Sequence, residues 1–426
     1  TPDNLGVKRM LDYVLIGIAV MALLGVVFEE VLHVNKAKTT LFFGTFAWIL
    51  LFIDANRGPH LAELNEHLIE NISEISTLWL FLVAAMTFVA YLNRKGMIEN
   101  MLNIIMPQKI TLKKLIFFTA IFSFCFSSLA DNITATLVSI AMVLSLGLPF
   151  NQTMRFAVLV VFAVNSGGVS LITGDVTTLM IFLDDKVTIT QLLLLIIPSL
   201  TAVLFLALLL SIGMKGEVKI KKTRHELRPV DYVIAGIFLS TIVLTLIANV
   251  LFAIPPMLSF LAGMAVMFLV ATFMGEEKYD DPILDYIRLI EFDTLLFFLG
   301  VLLLVGMLDH IDALGALLHV YSVMPSTGAN FVMGVLSSMI DNVPLTAALL
   351  KADIAMSTAE WMAFTYAVGV GGSLLIIGSS AGIVTMSKVK GLTFAKYGKF
   401  VLLLLAAYSV GYALVLVMAN LFVTAS

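Results

Sequence analysis

"FSSLADNITATLVSIAMVL", residues 126–144, sets an aspartate and an asparagine, Asp131 and Asn132, in the middle of an apolar run. Two hundred and ten positions later the chain reads "LSSMIDNVPLTAALL", residues 336–350. Ser127, Ser128, Asp131, Asn132 and Thr136 thus stand against Ser337, Ser338, Asp341, Asn342 and Thr346. An aspartate at mid-bilayer costs about 2.5–3.5 kcal/mol on insertion scales. Capping a broken helix is one use for it. A serine would cap at lower cost, and capping alone does not explain Asp and Asn together, twice, one turn after a pair of serines. The two stretches read as functional sites.

The surrounding composition makes this a membrane problem. Of 426 residues, 60% are hydrophobic and 13% charged, and the mean hydropathy is +1.04. Apolar runs near twenty residues long recur at 11–28, 75–92, 190–212, 231–253, 294–308 and 400–423. The expected fold class is therefore an all-α polytopic membrane protein. Short alternating segments, the mark of a membrane β-barrel, are not the pattern. A net charge of −4 gives no case for nucleic acid, and the single Cys125 excludes an internal disulfide. No Cys/His spacing suggests zinc, and no organic cofactor is expected. The chain opens at Thr1 with a polar stretch; a removed signal segment or a trimmed start would each explain that.

The halves of the chain align at four places in the same order. "DYVLIGI" (12–18) matches "DYVIAGI" (231–237), and "EISTLWLFL" (74–82) matches "EFDTLLFFL" (291–299). The Asp-Asn stretches come next, then "GGVSLITG" (167–174) against "GGSLLIIG" (371–378). Each half reads as three helices, an Asp-Asn hairpin, a Gly-interrupted helix and a last helix. The segments are 11–29, 39–54, 75–93, 112–148, 154–183 and 190–212, then 230–252, 257–274, 293–309, 328–354, 360–387 and 400–423. A hairpin that returns to its own side leaves five crossings per half, and an odd repeat puts its second copy upside down. The expectation is two inverted repeats, each of five transmembrane helices plus a re-entrant hairpin and an unwound helix. The first repeat is 1–214, with 11–93 mainly scaffold and 112–183 the hairpin and broken helix of a transport part. Residues 215–229 are a polar linker. The second repeat is 230–426, with 230–309 mainly scaffold and 328–387 its hairpin and broken helix. With the N-terminus outside, 20 of the 25 lysines and arginines fall inside and 5 outside. That makes both termini periplasmic and the linker cytoplasmic.

Two hairpins entering from opposite faces bring both tips to the midplane. Carboxylate, amide, hydroxyl and free carbonyl oxygens there form an all-oxygen set that suits a hard cation. An aspartate also binds a proton, so one site can hold Na⁺ or H⁺ in turn. "AVNSGGVSLITGD" (163–175) and "AVGVGGSLLIIGSS" (367–380) complete the two sites, with Gly167 and Gly168 against Gly371 and Gly372. The expected ion and proton ligands are Ser127, Asp131, Asn132, Thr173, Asp175, Ser337, Asp341 and Asn342. Thr134, Thr136, Asn165, Ser166, Thr346, Ser373, Ser379 and Ser380 are expected to support them. Asp175 gives the first half a further carboxylate, or caps the half-helix that follows it.

"ADNITAT" (130–136), "DNVPLTAALL" (341–350) and the Gly-rich segments resemble the NhaD-type sodium/proton antiporters of the ion transporter superfamily over essentially the whole chain. The resemblance implies inverted repeats, re-entrant hairpins, a scaffold that makes a homodimer and an elevator-like movement in a bacterial inner membrane. Related sodium-coupled dicarboxylate carriers have Ser-Asn-Thr at their hairpin tips. There the asparagine and a hydroxyl five residues earlier help bind Na⁺, which here corresponds to Asn132 with Ser127 and Asn342 with Ser337. Asp131 and Asp341 stand where those carriers have serine, and a titratable carboxylate in that place favours exchange of Na⁺ or Li⁺ for H⁺. An anion carrier for dicarboxylates or arsenite is the nearer alternative; Lys and Arg fall in the expected membrane segments only within a few residues of their ends (Lys113, Lys114, Arg155, Lys351), which weighs against it. The remote alternative is an intramembrane aspartyl protease, suggested by "LITGD" (171–175). That group's first glycine is replaced by Ile172, and its Tyr-Asp partner has no intramembrane match, so no enzyme is expected.

Overall fold

The computed structural model describes residues 2–29, 34–55, 61–220, 225–274, 283–290 and 292–422. Among them are twenty α-helices and one two-stranded ribbon. In the first half these are α1 (Pro2–Val27), α2 (Lys36–Ala55), α3 (Leu61–Arg94), α4 (Met97–Ile105), α5 (Leu112–Leu129), α6 (Asn132–Ser145), α7 (Phe150–Gly168), α8 (Val176–Leu183), α9 (Ile189–Leu194) and α10 (Ile196–Ser211). The second half has α11 (Pro229–Phe252), α12 (Pro256–Met274), α13 (Phe292–His310), α14 (Gly315–Val323), α15 (Ser326–Ser337), α16 (Asn342–Lys351), α17 (Thr358–Gly371), α18 (Ser380–Lys388), α19 (Phe394–Gly398) and α20 (Val401–Phe422). Eight helical stretches of the described residues are long and apolar enough to cross a membrane. The protein is a mostly helical, polytopic membrane protein.

Both Asp-Asn stretches break where the sequence places the charge. Helix α5 stops at Leu129, Ala130 and Asp131 are extended, and α6 starts at Asn132. Helix α15 gives way to α16 across 338–341 in the same manner. The Gly-rich helices break too, between α7 and α8 across 169–175 and between α17 and α18 across 372–379. The unbroken parts α7 and α17 are the core of the molecule: every residue of 156–168 and 361–371 is buried. Their glycines allow it. A Cβ on Gly167 would strike the Phe124 carbonyl of the first hairpin, and one on Gly371 would strike the Gly334 carbonyl of the second. Close passage of two helix backbones needs small residues at the crossing.

A separate group of helices borders this core. Helices α2 and α13 cross at Gly44 and Gly300, where a Cβ on Gly44 would lie 2.7 Å from the Gly300 carbonyl oxygen. Trp48 donates to the Leu303 carbonyl at 2.8 Å and Trp79 of α3 to that of Leu295 at 2.9 Å. Helices α11 and α12 lie against α3 through Phe88–Phe238 and Phe81–Phe260 ring pairs. Their other faces are rich in exposed apolar side chains, among them Leu244, Leu251, Leu269 and Phe273.

Three elements differ from the sequence expectation. Helix α2 begins at Lys36, three residues before the expected start at 39, and α3 begins at Leu61 rather than 75. The polar stretch before residue 75 continues the helix in register, which hydropathy alone does not report. Residues 109–111 and 217–219 pair as antiparallel strands, Lys109 opposite Lys219 and Thr111 opposite Glu217. The expected linker thereby ties itself to the root of the first hairpin. Charged groups also sort to two ends. Glu74, Asp184, Lys186, Lys351 and Asp353 gather around a cavity and its ion pairs at one end. Asn93, Glu99, Lys388 and Ile220 line a cavity at the other.

Candidate functional site

Four half-helices begin near the centre, and each is capped by the side chain just before it. Asp131 Oδ1 accepts the N–H groups of Ile133 and Thr134 at 3.1 and 2.9 Å. Asp341 accepts that of Val343 at 3.2 Å. Asp175 accepts that of Thr177 at 3.1 Å, and Ser379 that of Gly382 at 3.3 Å. The sequence expectation of capping is therefore right for Asp175 as for both hairpin aspartates. It is not the whole explanation. Ser379 shows that a hydroxyl caps the same kind of break. A cap is worth about 1 kcal/mol, less than the cost of an intramembrane carboxylate.

The helix starts give the carboxylates a further reason. Helix N-termini carry partial positive charge and attract anions. With hydroxyl caps alone, the four would favour an anion between them. Three carboxylates reverse that balance.

A cavity of about 50 Å³ lies among these caps. Asp131, Asn132, Thr173, Asp175, Asn342, Ser379 and Ser380 line it, closed on one side by Leu82, Met86 and Phe298. The two Asp-Asn stretches and both broken helices, far apart in sequence, thus share one chamber. Asn342 Nδ2 lies 3.4 Å from Asp175 Oδ2, which joins the second hairpin to the first broken helix. Asn165 donates to Ser379 Oγ at 3.0 Å, which joins the first broken helix to the second. On that measure a water needs about 10–15 Å³, so the chamber has room for a small ion together with a few waters.

The serines one turn before each Asp-Asn have matching positions. Ser127 donates to the Val164 carbonyl and Ser337 to that of Val368, both at 2.8 Å. Both are fully buried and neither lines the chamber. Ser127 Oγ is also 2.9 Å from Asn132 Oδ1, so its one proton is shared between that amide oxygen and the Val164 carbonyl. Thr136 and Thr346 donate to the carbonyls of Asn132 and Asn342 at 2.7 and 2.8 Å. Thr173 Oγ1 donates to the Ser128 carbonyl at 2.7 Å, and Ser373 to the Val370 carbonyl at 2.6 Å. Thr134 gives its hydroxyl to Asp131 Oδ2 at 2.7 Å. Gly168 and Gly372 pack close to Asn132 Oδ1 and the Gly378 carbonyl, respectively. Of the eight buried side-chain oxygens without a partner among the described residues, three lie on or just after α7: Asn165 Oδ1, Ser166 Oγ and Ser170 Oγ. Unpaired buried acceptors of this kind suit a cation or water.

Sequence reasoning missed Lys36. Its ammonium lies 3.2 Å from Asp341 Oδ2 and 3.4 Å from Ser380 Oγ, with the Phe297 ring centroid 4.3 Å away. Lys36 stands before the expected segment 39–54, and its side chain nonetheless reaches the second Asp-Asn stretch. Lys36 sits at the first residue of a helix that starts earlier than hydropathy suggests, and its long stem carries the charge inward. No motif marks it, so only the fold reveals it.

A buried core of broken helices whose oxygen-rich caps meet at one chamber is an arrangement that membrane transporters use. The sequence pattern of the citrate transporter family (CitMHS) matches residues 8–369, and the chain belongs to that family. It is similar to the Na(+)/H(+) antiporter NhaD of Alkalimonas amylolytica, 30% identical over 415 residues that cover 90% of this chain and 86% of that one. NhaD of Vibrio cholerae is 28% identical, covering 97% of this chain and 94% of its own. Sodium/proton antiporter 1 of Arabidopsis thaliana is 28% identical, covering 93% and 71%. The resemblance to NhaD-type antiporters carried by the Asp-Asn and Gly-rich segments therefore extends along nearly the whole chain.

Proposed function

We propose that this protein exchanges Na⁺ and Li⁺ for H⁺ across a bacterial inner membrane, protons entering as sodium leaves. The observation that carries this reading is the chamber of about 50 Å³ at which Asp131 and Asp175 meet two asparagines and two serines. Its donors are oxygens, and its carboxylates accept either a metal cation or a proton. The similarity to NhaD antiporters supports the same reading. In it, Asp131, Asn132, Asp175, Asp341 and Asn342 form the ion and proton site. Ser127, Ser337 and Thr173 hold the hairpins and broken helices in register. Two inverted repeats carry the site between faces by alternating access, the hairpins and broken helices moving against a scaffold built on α2, α3 and α13. The termini are periplasmic, the linker cytoplasmic, and the scaffold pairs two copies in the membrane.

The description of the family as citrate transporters favours a second reading, an anion carrier. One property weighs against it: Asp131 and Asp175 at the chamber wall would repel a tricarboxylate.

The test is proton flux in proteoliposomes carrying an internal pH dye. Added Na⁺ or Li⁺ should drive protons across, and citrate should not. Citrate-dependent uptake without any Na⁺-dependent proton movement would reverse the order of the two readings.

A further inference from the structure

The two hairpin aspartates share a backbone role and differ in what faces their second oxygen. Asp131 Oδ2 receives the hydroxyl of Thr134, from its own helix. Asp341 Oδ2 receives the ammonium of Lys36, from α2, 305 positions away in the chain. The ammonium is held on three sides: by Asp341, by Ser380 at the start of α18, and by the face of Phe297 on α13. Its side chain is 15% exposed and that of Asp341 5%. A lysine seated on an aromatic face and a carboxylate, with little water around it, is a fixed part of the site.

The repeat gives no second copy of it. The matching segments before the hairpins are offset by 217 to 219, which carries Lys36 onto residues 253–255, Ala-Ile-Pro. The first hairpin therefore has no tethered cation from the equivalent place. Lys36 belongs to one half-site only, and it neutralises the one hairpin carboxylate that does not line the chamber.

We propose that Lys36 is a tethered internal cation that occupies the Asp341 half of the site when no metal ion is bound, and that Na⁺ binds by displacing it. The inference rests on the Na⁺ site proposed above. An ammonium and a Na⁺ at the same buried carboxylate repel each other at short range with little water to screen them, so the two compete for Asp341. An empty site paired with Lys36 keeps its charge balanced, and Na⁺ pays for entry with the loss of that ion pair. Lys36 thus lowers the apparent Na⁺ affinity and sets the concentration at which the carrier loads.

Purified full-length protein is heated in increasing NaCl at constant ionic strength, with choline chloride making up the difference. The readout is the Na⁺ concentration giving half of the maximal rise in melting temperature. If the tether holds the site nine-tenths of the time, Lys36→Gln should lower that concentration about tenfold. Lys36→Arg, which keeps the charge, should remain near wild type. Phe297→Leu leaves Lys36 in place and loosens its seat, and should lower the value about two- to fivefold. This variant decides the matter if Lys36→Gln does not fold. A half-effective concentration that is unchanged or raised in Lys36→Gln, or in Phe297→Leu where only that variant folds, overturns the role of Lys36 and leaves the antiporter reading intact. Wild-type protein that Na⁺ neither stabilises nor causes to move protons overturns both.

Discussion

The two Asp-Asn hairpins are alike in architecture and unlike in surroundings. Each breaks before an Asp-Asn pair and caps the next helix with the aspartate. Each sends a serine to the carbonyl of a valine on the broken helix and a threonine back to its own asparagine. The differences lie one step further out. Beside the chamber the first broken helix offers Asp175 and the second offers Ser379. The carboxylate of the first hairpin faces a hydroxyl and that of the second an ammonium. The two stretches therefore share a frame of polar contacts and differ in chemistry. The contacts within each half match, and those between the halves differ.

Neutralising the hairpin carboxylates is the largest blow to this comparison. Asp131→Asn and Asp341→Asn keep the side-chain oxygen that caps the helix and lose the charge. Both should abolish Na⁺-driven proton flux in proteoliposomes while the purified proteins still elute as folded species. Normal exchange by both would remove the hairpins from the mechanism. Loss in only one would say which half carries the ion.

Asp175→Ser comes next, because it writes the second half's residue into the first. The cap should survive, as Ser379 demonstrates for its own half-helix. A hydrogen bond or contact to a charged group is worth about 1.5–3 kcal/mol, so the half-effective Na⁺ concentration should rise about 10- to 100-fold. An unchanged value would make Asp175 a cap and nothing more.

Much of this was legible in the sequence. Buried charges at a repeated spacing named both hairpin tips, and paired glycines in apolar runs named both broken helices. The reason is that a membrane makes every polar residue costly, so those present stand out. Asp175 could be read as ligand or cap, and its position shows that the two are compatible. Lys36 was not legible. At the edge of a membrane segment a lysine is cheap and common, and its reach depends on where α2 starts and what α13 sets beside it. The strand pair at 109–111 and 217–219 was hidden for a related reason: three residues carry no usable period.

Smaller effects test the conserved frame. Ser127→Ala and Ser337→Ala each remove one buried hydroxyl and leave a valine carbonyl on the broken helix without that donor. A net loss of about 0.5–1.5 kcal/mol corresponds to roughly a two- to tenfold rise in the Na⁺ concentration for half-maximal flux. Maximal rate should change less, since the chamber walls stay in place. The effect should be larger at Ser127, whose proton is also shared with the Asn132 amide oxygen. Equal effects would mean that this second contact adds nothing.

Thr136→Val and Thr346→Val reach the limit of the comparison. Each threonine returns its hydroxyl to the carbonyl four residues earlier, at 2.7 and 2.8 Å. Both side chains are fully buried, and valine matches their shape without the donor. The carbonyls concerned belong to Asn132 and Asn342, in the first turn of each returning half-helix, where they are also helix acceptors. Stability should fall by about 1 kcal/mol or less in each, read as a small drop in melting temperature. Na⁺ affinity should stay within about twofold, the shift expected from a few tenths of a kcal/mol. The two drops should also match each other, because both threonines act inside their own repeat and neither touches Asp175 or Lys36. A large loss of affinity at one threonine alone would place the divergence inside the hairpins themselves. The boundary between shared frame and separate chemistry would then have to be drawn one shell closer to the ion.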